Sequence, residues 1–175
     1  IMPVSIGSTP ATVYKKGTVV EAPAVVIAHG FAGSQQLMQA FALTLAHAGY
    51  VAITFDFEGH GRNPAPLSGD VTETSGATRL LMEEVERVTD FALALPSVNG
   101  QVALLGHSMA SDIIVRQAIG DKRVAAVVAV SMFSEAVTAD QPANLLIITG
   151  AWETFLRRQA LRTLHLSDPA ASEGQ

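Results

Sequence analysis

The segment Val102–Ser111 constrains the fold of this chain more than any other, and it reads VALLGHSMAS. Four apolar residues run into GHSMA at residues 106–110, and a segment of helical character follows at residues 112–119. We predict a buried strand that turns sharply into a helix, with Ser108 at the apex. A serine nucleophile requires such a turn, because the turn holds the hydroxyl clear of the sheet.

Small residues on either side of Ser108 make this turn sterically feasible. Gly106 stands two residues before the serine, and Ala110 places a methyl group two residues after it, where glycine is more usual. The turn would aim the amide of Met109 at the position where an oxyanion forms. The alternative is that Gly106 and Ser108 merely make a tight turn, since a pentapeptide also matches by chance.

The composition excludes several classes of protein. Apolar residues make up 49% and charged residues 15%, which suits one α/β domain with a buried sheet. A net charge of -5 without a Lys/Arg cluster argues against nucleic acid or an anionic membrane as partner. Zero cysteines exclude disulfides, thiol catalysis and thiolate metal sites but do not fix the compartment, for which we expect the cytoplasm. No run approaches the ~18 apolar residues of a membrane span, so we expect none. The chain begins Ile1-Met2, so its natural N-terminus need not be residue 1.

Strands and helices alternate along the rest of the chain. Apolar runs predict an edge hairpin at residues 4–6 and 11–14. They also predict buried strands at residues 24–28, 50–55, 124–130 and 145–149. Helical spacing predicts helices at residues 34–48, 77–95 and 152–166. In the first of these, Ser34 is the predicted N-cap, and Leu37, Phe41 and Leu45 form the predicted apolar face. This alternation predicts an α/β fold, a mostly parallel central sheet with helices on both faces. The single domain would cover residues 1–166, followed by a disordered tail at 167–175.

The polar and glycine-rich segments follow the predicted strands. They stand at residues 29–31, 56–63, 106–111, 131–135 and 150–153. Because ligands bind at the carboxyl ends of the strands in such sheets, we expect these segments to share the functional edge.

Four of these segments, in this order, resemble the α/β-hydrolase family: HGFAGS, DFEGHGRN, GHSMAS and GAWE. The resemblance covers nearly the whole chain and implies a serine hydrolase of esterase or lipase type, with a dienelactone-hydrolase-like branch also possible. It implies no metal and no organic cofactor. A serine nucleophile excludes the epoxide hydrolase and haloalkane dehalogenase branches, which use an aspartate.

The resemblance also implies roles for individual residues. Ser108 would attack a carbonyl carbon, and the backbone amides of Phe31 and Met109 would form the oxyanion hole. Glu153 would be the acid of the catalytic triad, with Glu135 as the alternative.

Two further side chains are predicted at the same edge. His60 and Trp152 are candidate substrate contacts, and the apolar Phe31 and Met109 beside them favour an apolar acyl group. The connection at residues 131–144 is too short for the helical cap of many relatives, so we expect little or no cap.

The family's catalytic histidine lies beyond an eighth strand. We therefore expect this histidine, with the last strand and helix, to lie beyond Gln175, and this form to be weak or inactive. His165 is the only histidine after Glu153. Twelve helical residues separate the two by about 18 Å, whereas a general base must approach its proton donor to about 3 Å. We expect His165 to be an ordinary helix-end residue.

Two functions remain open from the sequence. The leading one is hydrolysis of a small-molecule ester or related acyl compound through an acyl-enzyme intermediate. The alternative is a non-catalytic binding or interaction module that keeps the fold without a working triad.

Overall fold

A central sheet positions every candidate residue. The computed structural model describes residues 1–17, 19–69, 77–132 and 144–167, with only the backbone of residues 77 and 163–167. The described strands are β1 (Met2–Ile6), β2 (Thr9–Tyr14), β3 (Ala22–Ala28), β4 (Val51–Phe55), β5 (Val98–His107), β6 (Val124–Val130) and β7 (Leu145–Ile148). They form a single sheet in the order β1-β2-β4-β3-β5-β6-β7.

The sheet is parallel from β4 to β7 and antiparallel at one edge. Strands β1 and β2 form the predicted edge hairpin around Gly7, whose φ of 62° suits glycine. Strand β2 then pairs antiparallel with β4, and the remaining neighbours pair in parallel. The carboxyl ends of β3, β5, β6 and β7 therefore meet at one edge.

Helices cover both faces of this sheet. A 3-10 helix (Gln35–Met38) leads into α1 (Gln39–His47), and α2 (Ala77–Ala94), α3 (Met109–Gly120) and α4 (Thr154–Ser167) follow. Helices α2 and α3 pack against each other and against β5, whereas α1 packs against β4. The predicted α/β architecture, a mostly parallel sheet with helices on both faces, is confirmed.

Alternate residues of β3 supply the two core layers. Ala24 and Val26 belong to the core beneath α2 and α3, and Val25 and Ile27 belong to the core beneath α1. Successive side chains of a strand point to opposite faces, so a continuous apolar run is required where both faces are covered.

The buried face of α1 differs from the prediction. The sequence suggested a face at Leu37, Phe41 and Leu45, but the buried residues are Met38, Ala42 and Ala46. Leu37 is 70% exposed. The observed face is displaced by one residue, which corresponds to a rotation of about 100° around the helix axis. The small side chains of Ala42 and Ala46 allow the helix to approach the sheet closely. Ser34, the predicted N-cap, makes no side-chain capping hydrogen bond.

Strand β7 is covered on one face, although the sequence predicted a strand buried on both. Leu146 and Ile148 point to the side of α1 and are 55% and 45% exposed. Helix α1 lies on that side, where it packs on β2, β3 and β4. An apolar depression of about 380 Å³ lies between Phe41 on α1, Leu105 on β5 and Ile148.

Several predictions fall on residues outside the described ranges. Glu135, most of the 131–144 connection and residues 168–175 lie there, so the cap, the tail and the single-domain boundary stay predictions. Ser167 belongs to α4 rather than to a tail. Within the described ranges, no helix combines the length and hydropathy needed to cross a membrane.

Candidate active site

Ser108 occupies the turn that the sequence predicts. Strand β5 ends at His107 and α3 begins at Met109, and between them Ser108 has φ 53° and ψ -118°. A positive φ is uncommon outside glycine. The amide of Ser108 donates to the carbonyl of Val130 at 2.9 Å, and the amide and hydroxyl of Ser111 donate to the Ser108 carbonyl at 2.9 and 2.5 Å. These bonds hold the strained turn in place.

Gly106 is sterically required beneath the turn. A Cβ at this position would stand 2.6 Å from the carbonyl oxygen of Ala110 and 2.9 Å from Cδ1 of Ile114. Backbone cannot yield to such a contact without moving the first turn of α3. Ala110 is fully buried, so its methyl group is accommodated where a second glycine would be more usual.

The loop after β3 lies against Ser108. A Cβ at Gly30 would stand 3.0 Å from the serine Cβ and 3.1 Å from Nδ1 of His107. The next residue, Phe31, has a largely exposed ring. Met109 opens α3, and amides in the first turn of a helix have no acceptor within it. Both predicted oxyanion-hole residues therefore neighbour the serine.

His29 ties this loop to the loop after β4. Its Nε2 accepts the amide of Phe57 at 3.1 Å, and its Nδ1 lies 2.8 Å from the carbonyl oxygen of Gly30. Since Nε2 accepts, the proton of the neutral ring is on Nδ1, which donates to that carbonyl. Burial lowers the pKa of His29, which favours this neutral form.

Asp56 joins the same two loops through its buried carboxylate. It accepts the amide and the side chain of Gln35 at 2.7 and 2.9 Å, and the amide of Arg62 at 3.1 Å. Gly61 has φ 54°, and a Cβ there would collide with the Asp56 carboxylate. The glycine is needed because the loop folds tightly over that carboxylate.

A second buried carboxylate, Glu84 on α2, holds the loop after β4 from the opposite side. It accepts the hydroxyl of Thr9 at 2.6 Å, the amide of Glu58 at 2.9 Å and the side-chain amide of Asn63 at 2.9 Å. Burial raises the pKa of Glu84 despite these donors. The sequence motifs did not predict a role for Glu84. Position 84 lies on the same buried helix face as Leu81, and a charged residue on such a face indicates a specific role.

The side chain of His60 is buried and packs against the ring of Phe31. It is 7% exposed, and its ring centroid lies 5.5 Å from that of Phe31 and 5.2 Å from that of His29. Trp152 lies next to Glu153 and is 96% exposed. Substrate contact by either side chain stays a prediction.

Glu153 lies at the same edge, just after β7. Its Oε2 accepts the amide of Gly150 at 2.5 Å and the hydroxyl of Ser131 at 3.0 Å. The hydrogen bond from the Gly150 amide has the larger effect, and together with that from Ser131 it lowers the pKa of the Glu153 carboxyl. The electrostatic interaction with His107 also lowers this pKa. Parallel pairing of β5, β6 and β7 places Ser108, Ser131 and Glu153 in that order at the ends of three consecutive strands.

Sequence comparison identifies a family for this arrangement. The family model described as serine aminopeptidase, S33, matches residues 21–169, which is most of the chain. The chain belongs to the S33 family of α/β-hydrolases.

The relatives that match this chain are distant and longer. The chain is 24% identical over 142 residues to the quorum-quenching protein AidA of Acinetobacter baumannii, a match that covers 77% of this chain and 43% of that protein. Its fold is similar to a hypothetical protein of Pseudomonas aeruginosa, with a TM-score of 0.63 and 24% identity over 71% of this chain and 39% of that one. It is also similar to Est1E of Butyrivibrio proteoclasticus, solved with ferulic acid bound, with a TM-score of 0.61 and 20% identity over 75% of this chain and 52% of that one. The chain thus spans about half the length of these proteins or less.

The described histidines make no hydrogen bond to the candidate catalytic residues. Among the hydrogen bonds of the described residues, none joins a histidine to the Ser108 hydroxyl or to Glu153. His29 and His60 are buried, and His47 ends α1. Helix α4 continues to Ser167, so residue 165 follows Glu153 along a helix, as the sequence argument assumed. The described residues also contain no cluster of ligands suited to a metal ion.

Proposed function

We propose that this member of the S33 family is a serine hydrolase that cleaves an ester or related acyl compound through an acyl-enzyme intermediate. The left-handed turn at Ser108, with Gly30 packed against the serine Cβ, carries the proposal. Such a turn presents the hydroxyl to a ligand at the sheet edge, where α/β sheets bind their substrates.

In the proposed reaction, the Ser108 hydroxyl oxygen attacks the acyl carbon and the amides of Phe31 and Met109 stabilise the oxyanion. Donors fixed before the reaction stabilise the developing charge without reorganising. The hydrogen bonds of His29 and Asp56 support this interpretation, because they fix the loop that carries Phe31. The acyl-enzyme is then hydrolysed by water, which regenerates the serine.

We assign the triad acid to Glu153, which would orient a histidine by accepting from its ring. Glu153 lies at a strand end of the same edge and is held there by Gly150 and Ser131. None of the histidines whose side chains the structure describes bonds to the Ser108 hydroxyl or to Glu153, so we place the general base outside them. Without such a base, the described residues would retain only what binding and the oxyanion hole supply, roughly 10³–10⁴ over water.

A small acyl substrate suits the surface around Ser108. The rings of Phe31 and Trp152 are exposed at this edge and offer apolar contact to an acyl group. One neighbour of the same fold was solved with ferulic acid, a carboxylic acid, which supports the same class of ligand.

Turnover of short activated esters tests the proposal. Ser108→Ala should abolish enzyme-dependent hydrolysis in a form that turns over, because no other group would form the acyl-enzyme. Ser97→Ala, in the loop before β5, is the matched control and should leave the rate unchanged. Undiminished turnover of Ser108→Ala would rule the mechanism out. A stable fold with no Ser108-dependent turnover in any form would favour the binding module.

The acid is tested separately in that form. Glu153→Gln should lower kcat by roughly 10⁴, as amide substitution does in the Ser-His-Asp template. Glu135→Gln should have a small effect. The reverse pattern would assign the acid to Glu135.

A further inference from the structure

Three left-handed residues that are not glycine stand at the candidate site. Ala32, Ser108 and Ser131 have φ of 54°, 53° and 51°, and they follow β3, β5 and β6, three adjacent strands of the sheet. Among the described residues, the remaining non-glycine of this kind is Asn144, which precedes β7 at the opposite edge. Asparagine tolerates this conformation, whereas alanine and serine do not readily adopt it.

Backbone strain at a sheet edge points to a requirement for the side chain. Glycine would adopt the backbone of Ser131 without strain, so a serine there indicates that its hydroxyl is used. That hydroxyl donates to Oε2 of Glu153 at 3.0 Å, while the Ser131 amide donates to the carbonyl of Ile148 at 2.7 Å. The amide bond fixes Ser131 against the end of β7, from which Glu153 follows after a short turn.

We propose that Ser131 is a positioning residue for the triad acid. Its hydroxyl and the amide of Gly150 hold one oxygen of Glu153, so that the other oxygen, Oε1, receives the ring N–H of the catalytic histidine. The proposal rests on the proposed function, in which Glu153 is that acid.

The geometry around Glu153 explains why a second donor is needed. The side chain is only partly buried, and the Gly150 amide alone anchors it at a single point. A donor on the neighbouring strand restricts the rotation of the carboxylate about that point. His107, at the end of β5, also acts electrostatically on this carboxylate.

Two variants separate positioning from simple structure. Ser131→Gly removes both the strain and the hydroxyl, and Ser131→Ala removes the hydroxyl alone. Carbon-13 NMR titration of the Glu153 carboxyl in the 175-residue chain should show a raised pKa in both variants, since one of its two donors is lost. The Tm of Ser131→Gly should equal or exceed that of the wild type, and Ser97→Ala should leave the Glu153 titration unchanged.

The catalytic consequence is measured in a form of the protein that hydrolyses esters. Ser131→Gly should lower kcat between about 10- and 100-fold with little change in KM, as expected when a catalytic group is misplaced but substrate binding persists. An unchanged Glu153 titration in both variants, or a raised pKa without any loss of kcat, would overturn the positioning role. Failure of the proposed function is distinct from either result, because it would appear as full turnover in Ser108→Ala.

Discussion

Gly30 lies so close to Ser108 that a methyl group on Gly30 would stand 3.0 Å from the serine Cβ. The two residues follow neighbouring strands, β3 and β5, which pair in parallel up to Ala28 and Gly106. The loop that bears Phe31 and the serine turn therefore form one packed unit. Any side chain at position 30 must separate them.

Gly30→Ala should impair the site more than the fold. The added methyl group pushes the loop away by a few tenths of an ångström or more, and misplacement near 1 Å costs about 10²-fold in rate. Overpacking of this kind costs about 1–3 kcal/mol in unfolding free energy. The measurement is the rate of ester turnover together with the Tm. Gly17→Ala, where a Cβ meets nothing within 4 Å, is the control and should change neither. Unaltered turnover in Gly30→Ala would show that the loop and the serine do not act together.

Glu84→Gln should destabilise the protein although the side chain keeps its shape. The wild-type carboxylate accepts hydrogen bonds from Thr9, Glu58 and Asn63. The amide of glutamine would place two N–H donors in the same site, where they would face other donors instead of acceptors. An unsatisfied buried polar group costs about 1–3 kcal/mol. Urea unfolding measures this loss. Glu86→Gln, exposed on the same helix, should stay within about 0.5 kcal/mol of the wild type. Equal stabilities for the two variants would contradict the bracing role of Glu84.

Acidification should weaken the fold through His29. Its pKa in the folded state lies below the ordinary 6.5, so between those two values the unfolded chain binds a proton that the folded chain does not. The free energy of unfolding therefore falls as the pH drops through that window. Glu84 has the opposite sign, because its pKa is raised above 4.5 and its protonated form favours the folded state.

A variant isolates the His29 contribution. His29→Gln keeps an acceptor for the Phe57 amide but does not titrate, so its stability should fall less than that of the wild type between about pH 7.5 and about pH 5.5. Urea unfolding at both pH values gives the difference. Parallel losses in the two proteins would mean that His29 is not the group responsible.

The parallel strands could be predicted because each is a continuous apolar run followed by polar residues. Strand β3 needs apolar side chains on both faces, and Val25 and Val26 satisfy this in sequence alone. The face of α1 could not be predicted in the same way. Both Phe41 and Ala42 are apolar, and only the distance between helix and sheet selects the smaller one.

The candidate site was likewise only partly predictable from the sequence. Ser108 and Gly106 were predictable because the turn requires neighbouring residues of defined size. The buried carboxylates were not, since Glu84 binds Thr9 across 75 residues and Asp56 binds Gln35 across 21. Ser131 was likewise missed, because its role depends on a left-handed backbone that no local motif indicates.

Covalent labelling of the 175-residue chain with a fluorophosphonate tests the central claim most directly. Mass spectrometry of the digested protein locates the adduct, and added imidazole supplies an external base. We predict a slow adduct on Ser108 that forms faster with imidazole and is absent from Ser108→Ala. An adduct on Ser111 instead, or undiminished labelling of Ser108→Ala, would contradict the assignment of Ser108 as the nucleophile.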